Sequence, residues 1–417
     1  MTPSREFDLI LYGATGFVGR LTADYVAGAA PTTARIALAG RSLDKLRAIR
    51  GELGDSASEW SLLVADADDR NALDAMAKRT RVVVTTVGPY ARYGLGLAQA
   101  CAQAGTHYAD LTGEPLFVRE CIDRFHTLAV RSGAKIVNSC GFDSVPSDLS
   151  VFLLHRRALE DHAGELASAT LVATVRGGLS GGTIDSGRAQ WEAIAEDPSL
   201  RRIVADPYAL SPDPNRAPDL GKQSDHTLRR ARGIDPSLPG WVTTFIMASH
   251  NTKIVRRTNG LLGWAYGKHF RYREVMHAGT SVTAPLIAAV VAAGLATLTL
   301  LGPILSRGLG KRVLDRLVPA PGTGPDERAR DNGFFTMRTF TRTTTGTRYL
   351  ATFAAQGDPG YKATAVLLGE SGLSLAFDYN PRHEYGGVLT PASAMGEDLA
   401  DRLSKSGMTI SVDRIDN

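Results

Sequence analysis

Gly13, Gly16 and Gly19 stand directly after the apolar run Phe7–Tyr12 and directly before a helical pattern. A strand that runs into a glycine-rich turn and then a helix leaves backbone N–H groups and a helix N-terminus free to hold a pyrophosphate. The stretch Gly13-Ala14-Thr15-Gly16-Phe17-Val18-Gly19 has the spacing GxxGxxG rather than GxGxxG. The flanking strand and helix therefore carry the assignment more than the glycines do. Gly13 turns the chain at the strand end, Gly16 lets the backbone approach the phosphates, and Gly19 lets the first helix pack close to the sheet.

A second strand, Ala34–Gly40, ends in Arg41 and Ser42. An NAD site places a carboxylate there, roughly 20 residues past the glycines, on the ribose 2′-hydroxyl. A guanidinium and a hydroxyl suit a 2′-phosphate instead, so the expected cofactor is NADPH. Asp66, closing the third strand, faces the adenine or simply makes a turn. Val87, Gly88 and Pro89, closing the fourth, run beside the ribose and nicotinamide. Hydride chemistry also needs a proton source. Tyr90, Tyr108, Asp110, Glu114, Asp143 and Ser144 all fall in or near strand-end loops. Tyr90, and after it Tyr108, is the expected catalytic residue, because a phenol can both donate a proton and steady an enolate. Asp110 and Glu114 read as turn residues that accept backbone N–H groups. Cys140 reads as a small buried side chain.

These groups need a scaffold that brings strand ends together. Apolar runs at 60–65, 81–87, 107–110 and 134–139 alternate with helical patterns at 43 onward, 70–79, 95–104 and 116–132. Six such strands predict a doubly wound parallel sheet covered on both faces. After Asp148 the patterning changes. Residues 171–176 read as a strand, Gly177–Ser186 as a flexible glycine-rich loop, and 206–240 as an irregular excursion. Phe334–Ala354 reads as a hairpin about Thr344-Thr345-Gly346, with Tyr349, Ala351 and Phe353 on one face. Pro359 opens a helix. Thr390 and Pro391 read as the N-cap and first position of the last one.

At 417 residues, with 43% hydrophobic and 22% charged residues, the chain is long enough for two cores. A net charge of +4 gives no ground for a nucleic-acid partner. Three cysteines without CxxC suggest neither a disulfide framework nor a metal site. With no secretory pattern at the N-terminus, a cytoplasmic protein is expected. One segment is unusual. Residues 278–306 carry no charge. The apolar centre between Pro285 and Pro303 would span about 25 Å as a helix, short of a bilayer core of about 30 Å. Lys253, Arg256, Arg257, Lys268, Arg271 and Arg273 precede it, and Arg307, Lys311, Arg312 and Arg316 follow it. Three readings stand: a core or homodimer-interface helix, peripheral contact with the inner face of the plasma membrane, or a true membrane span.

Together, GATGFVG, AGRS, TTVGPY, Tyr108-Ala-Asp110-Leu-Thr-Gly-Glu114 and Cys140-Gly-Phe-Asp-Ser-Val-Pro-Ser-Asp148 resemble the saccharopine dehydrogenase-like oxidoreductases. With Gly386–Ala392 and Met395-Gly396, they resemble above all the branch of trans-acting enoyl reductases. The resemblance implies an NADPH-dependent reductase that works in trans with a polyketide synthase. Its substrate would be a carrier-bound or lipid-linked chain in phthiocerol or phenolic glycolipid assembly. It also implies a Rossmann domain (1–145), an α+β domain with a mixed sheet (146–389), and a C-terminal helix and tail (390–417) returning to the first domain. Fold and family host several chemistries. A saccharopine-type imine reductase and a non-catalytic NADP-binding protein at a membrane surface remain open as alternatives.

Overall fold

The computed structural model describes residues 5–177, 181–221, 223–224, 227–305, 326–378 and 385–415. In chain order the first part comprises β1 (Phe7–Tyr12), α1 (Phe17–Ala29), β2 (Ile36–Gly40), α2 (Leu43–Glu52), β3 (Ser61–Val64), α3 (Arg70–Arg79), β4 (Thr80–Thr85), α4 (Tyr90–Ala104), β5 (His107–Ala109), α5 (Pro115–Ser132) and β6 (Lys135–Val137). Then follow α6 (Val145–Glu160), β7 (Leu166–Arg176), α7 (Gly181–Glu196), α8 (Leu200–Ala205), β8 (Leu228–Arg230), β9 (Trp241–Thr244), α9 (Ala248–Leu261), β10 (Arg271–Gly279) and α10 (Ala284–Leu305). The last elements are α11 (Glu327–Asp331), β11 (Phe334–Thr343), β12 (Arg348–Gln356), α12 (Thr364–Phe377), β13 (Gly387–Leu389), α13 (Pro391–Lys405) and β14 (Thr409–Ile415).

Every residue of β1 is buried, as a central strand covered on both faces requires. The first sheet is parallel throughout, in the order β13-β6-β5-β4-β1-β2-β3. The strand order reverses between β4 and β1, which opens a crevice beyond their carboxyl ends. The second sheet, β14-β12-β11-β7-β10-β9-β8, is mixed, with β7 and β10 parallel and its other pairs antiparallel. An α/β fold with these two sheets is the expected class.

Several boundaries differ from the sequence reading. α4 begins at Tyr90 rather than near residue 95, so Tyr90 is helical. The glycine-rich stretch is helical from Gly181; residues 178–180 lie outside the described residues. The first sheet gains a seventh strand, β13, which pairs with Lys135–Val137 across some 250 residues of chain. The C-terminal tail does not return to the first domain. α13 touches β6, where Lys135 Nζ donates to Ala394 O at 3.3 Å, but β14 completes the second sheet on β12.

The basic cluster upstream of the apolar segment divides, with Lys268, Arg271 and Arg273 exposed. Lys253, Arg256 and Arg257 are buried in α9 rather than displayed at the surface. Arg257 donates to Leu210 O at 2.6 Å and to Val388 O at 2.5 Å; Arg256 donates to Tyr272 O at 3.0 Å. Backbone carbonyls thus accept the terminal guanidinium N–H groups where water is excluded, while Arg257 Nε has no acceptor among the described residues. The downstream Arg307, Lys311, Arg312 and Arg316 lie outside the described residues. α10 packs on β9 and α7, and no helix among the described residues is long and apolar enough to cross a membrane.

α12 joins the two halves. It is buried along nearly its whole length and lies on the first sheet and α1. Glycines allow the approach: a Cβ on Gly369 would stand 2.6 Å from the Tyr25 ring, and one on Gly372 would stand 2.4 Å from Val84 Cγ2. Val84 is a core residue of β4 with no room to retreat. Gly372→Val is therefore expected to destabilise the protein by about 1–3 kcal/mol through overpacking. Urea unfolding followed by circular dichroism checks this, and an unchanged midpoint would contradict it.

Candidate active site

The site is built on the turn after β1. Gly13 has φ +89°, and a Cβ there would lie 2.7 Å from Thr86 Oγ1 and 2.8 Å from Val87 Cγ2. Thr86 Oγ1 donates to Gly13 O at 3.1 Å, and Gly16 N to the same oxygen at 2.9 Å, which locks the turn to the end of β4. A Cβ on Gly19 would fall 2.1 Å from Gly13 O, so only glycine lets α1 lie this close. Gly16 differs. It is exposed, and its Cβ would meet only Gly13 O, at 3.4 Å. It caps α1 without a side-chain hydrogen bond, and no acid occupies the first turn. The N–H groups of Phe17 and Val18 donate to no backbone acceptor among the described residues, and no acid of the first turn competes for them, as a pyrophosphate site requires.

Around this turn the other expected cofactor residues converge. Thr15 lies against Gly40, at the end of β2. Arg41 follows it, exposed, close enough to Tyr12 for its charge to act on the phenol, and without a hydrogen bond or ion pair among the described residues. Burial, with Asp66 beside it, pushes Tyr12 up to about 12. The Ser42 hydroxyl is partly used, since it caps α2 by accepting from Lys45 N at 3.4 Å. Asp66 is exposed and makes a local turn, accepting Asp68 N at 3.1 Å. Val87, Gly88 and Pro89 border the crevice between β4 and α4.

The candidate proton donors separate clearly. Tyr90 is buried and its hydroxyl is fully engaged, donating to Thr85 O at 3.1 Å and accepting Leu111 N at 3.2 Å. Tyr108 is fully buried within β5. Burial, with the Asp110 charge beside them, holds both phenols well above their usual range. Neither hydroxyl is presented to the crevice, which departs from the expected catalytic role. Asp110 accepts Thr112 N, Ser139 N and Asn138 Nδ2 at 2.8–3.0 Å. Glu114 accepts Tyr90 N at 2.9 Å, Ala91 N at 2.8 Å and Ser186 Oγ at 2.7 Å. Both carboxylates are structural acceptors, as read. The Ser144 hydroxyl donates to Asn251 Oδ1 at 3.1 Å. Cys140 is fully buried, with its thiol pushed up. Asp143 is partly exposed and has no hydrogen-bond partner among the described residues.

The sequence alone does not reveal what the second half adds. Tyr361 stands edge-on to Phe17 at 4.9 Å and its hydroxyl accepts Gly181 N at 3.0 Å. The Arg330 guanidinium lies 5.4 Å from the Phe17 ring centroid. His250 on α9 meets Ser139 Oγ at 2.9 Å. Ser139 Oγ donates to Thr112 O, so His250 Nε2 carries the proton toward it. Burial pushes that imidazole down to about 3, so it is neutral. Ser139 has φ +66°, a conformation these bonds hold.

A glycine turn at a strand-order reversal, an unpaired arginine at the 2′-phosphate position and a mixed sheet flanking the crevice define an NADP-binding oxidoreductase of two interleaved halves. Residues 9–137 match the saccharopine dehydrogenase NADP-binding domain. The trans-acting enoyl reductase of Mycobacterium ulcerans is 50% identical over 99% of this chain and 99% of its own. That of Mycobacterium tuberculosis is 49% identical over all of both chains. Saccharopine dehydrogenase (L-Glu forming) from Saccharomyces cerevisiae has the same fold, with a TM-score of 0.56 over 98% of this chain and 99% of that one, at 14% identity. The chain belongs to the trans-acting enoyl reductase family.

Two substitutions test the cofactor assignment. Arg41→Asp is expected to weaken NADPH about tenfold or more, the loss of a charge-assisted contact worth roughly 1.5–3 kcal/mol, and to leave NADH nearly unaffected. Fluorescence titration measures both; equal losses would refute the 2′-phosphate role. Gly16→Val should abolish binding of either dinucleotide while the thermal transition stays in place, because its side chain enters the cofactor space and not the core.

Proposed function

We propose that this protein reduces a carbon–carbon double bond in a carrier-bound, polyketide-derived lipid chain, acting in trans to the synthase, as in phthiocerol and phenolic glycolipid assembly. The names of its relatives support enoyl reduction. The glycine turn would hold the pyrophosphate, Arg41 the 2′-phosphate, and the Val87-Gly88-Pro89 edge the nicotinamide ribose. NADPH supplies a hydride when bound. Tyr90, with its engaged hydroxyl, would support the Gly88-Pro89 edge from below, and Tyr108 would support β5.

The observation that carries the substrate class is the outer face of α10. Leu286, Ile287, Val290, Leu298 and Leu301 are all exposed on it. Exposed apolar side chains concentrated on one helix suit a greasy ligand or partner. The helix that carries this face is tied, on its buried side, to α7 and through it to the first sheet. Gly302 packs against the Trp191 ring of α7, and α7 is tied at Ser186 to Glu114 and at Gly181 to Tyr361. A small zwitterionic imine would gain nothing from such a surface. A membrane-surface role keeps only part of its upstream basic flank, since Lys268, Arg271 and Arg273 are exposed while Lys253, Arg256 and Arg257 are buried.

The test is NADPH oxidation with a trans-enoyl chain thioesterified to an acyl carrier protein, with mass spectrometry of the product. Saturation of the chain is expected; bound NADPH that no enoyl chain oxidises would favour a non-catalytic protein. Replacing Leu286, Ile287 and Val290 together by Ser should raise KM for a long chain about tenfold, given roughly 25 cal/mol per Å² of apolar contact, and leave a short chain unaffected. Equal effects on both chain lengths would remove α10 from substrate recognition.

A further inference from the structure

Protonation of the substrate requires an acid that reaches the crevice and is not already committed. The loops after β4, β5 and β6 hold several ionisable groups, and nearly all of them are spent on the fold. Asp110 and Glu114 each accept three donors, and Tyr90 uses its hydroxyl in both directions. Asp148, on α6, accepts Thr258 Oγ1 and Ala392 N, stitching α6 to α9 and α13. His250 is neutral and bonded to Ser139.

Asp143 is the exception. It lies in the turn between β6 and α6, beyond the carboxyl ends of the same parallel sheet whose β1 leads into the glycine turn. Its backbone is held firmly: Phe142 N donates to Thr364 Oγ1 at 3.1 Å, and Ser144 N to Gly141 O at 3.3 Å. Among the described residues its carboxylate accepts no hydrogen bond. Oδ2 lies over Gly113, 3.6 Å from where a Cβ would stand, with Met247 Cε close to the same point at 3.3 Å. Gly113 faces it from the loop after β5 and Met247 from the residue before α9; neither titrates. No charged group among the described residues acts on it. A carboxyl set against Gly113 and Met247, with no donor among the described residues, is costlier to ionise than a solvated one even where it is partly exposed. Burial raises Asp110 to about 6 as well, but three donors occupy its oxygens, whereas none among the described residues reaches those of Asp143.

We propose that Asp143 is the proton donor of the reduction, the catalytic acid that delivers hydrogen to Cα of the enoyl substrate. This rests on the enoyl-reduction reading above. Addition of the hydride at Cβ moves the double-bond pair onto the thioester oxygen as an enolate, with NADPH oxidised to NADP. The Asp143 O–H bond then breaks and its proton forms the Cα–H bond. The enolate pair returns to restore the thioester carbonyl, and the carboxylate is reprotonated from water. Burial supports this role, since it pushes the Asp143 carboxyl up to about 6. The group therefore stays partly protonated near neutral pH, where an ordinary carboxyl does not.

The same placement has a signature in stability. Asp143 has a folded value above its unfolded one, so ionising it destabilises the fold progressively as pH rises from about 4 to about 6, with the full cost above that. Asp143→Asn removes the charge at nearly constant shape. Its melting temperature is expected to equal or exceed that of the parent at pH 7.5, with no difference at pH 4.

The decisive experiment compares the parent, Asp143→Asn and Asp143→Glu with a trans-enoyl chain on an acyl carrier protein. In the parent, kcat/KM should fall as pH rises through about 6. In Asp143→Asn, kcat should drop by about 10²-fold or more with that limb gone, while NADPH affinity stays within about twofold. Asp143→Glu should recover part of the rate. A full rate and an unchanged pH profile in Asp143→Asn would overturn the assignment and leave the enoyl reading standing. A lowered melting temperature or lost NADPH binding would make Asp143 structural and equally overturn it. A parent enzyme that binds NADPH but does not saturate the chain would overturn both.

Discussion

The Glu114 carboxylate is the point on which the crevice depends. It is 3% exposed and receives two backbone N–H groups from the start of α4 and the hydroxyl of Ser186 from α7. A buried carboxylate is stable only where donors surround it, and a helix N-terminus supplies both donors and a favourable dipole. Satisfying this one charge fixes the direction of α4 and thus the Gly88-Pro89 edge. It also pins α7 over the opening. Without it, the first turn of α4 would have two buried donors and no acceptor, and α7 would lose its tie to the cofactor sheet.

The two sheets share responsibility for the site more than a simple two-domain division suggests. α12 comes from the second half of the chain yet covers the first sheet, at a distance only Gly369 and Gly372 allow. Glu370 on the same helix accepts Tyr25 Oη at 2.5 Å and Arg402 Nη1 at 3.2 Å, joining α1, α12 and α13. Arg257 reaches from α9 to Val388 in β13. Close backbone packing and buried charge-assisted hydrogen bonds both resist relative motion, so the walls of the crevice are held to each other by contacts well away from the chemistry.

Much of the first sheet was legible because its signals are local. Helix α3 spans Arg70–Arg79, as its periodicity predicts, and Asp69 caps it. The β11–β12 hairpin turns at Gly346, with Tyr349, Ala351 and Phe353 buried together. Gly13 turns the chain and Gly19 admits α1 close to the turn, as their spacing implies. Features set by distant partners were not legible. β13 is three residues long and has no period to detect. Gly181-Gly182 reads as a loop, and becomes helical under ties from Tyr361 and Glu114. Lys253, Arg256 and Arg257 read as part of a basic flank because the sequence carries no mark of the carbonyls that bury them. Tyr90 sits where a catalytic phenol belongs, and only its hydrogen bonds show that it serves the scaffold.

The pairing of β13 with β6 has a consequence for how the protein comes into being. Synthesis proceeds from the N-terminus, and most of the cofactor sheet has emerged once β6 is made. Its outer strand then presents free N–H and C=O groups until some 250 further residues have been added. The nascent chain thus carries an unprotected edge through most of its translation. The companion helix α12 is equally late, so one face of the sheet also stays bare. The cofactor-binding half is first to be translated and among the last to be finished, which places the greatest demand for chaperone shielding on the part of the molecule that looks most self-sufficient.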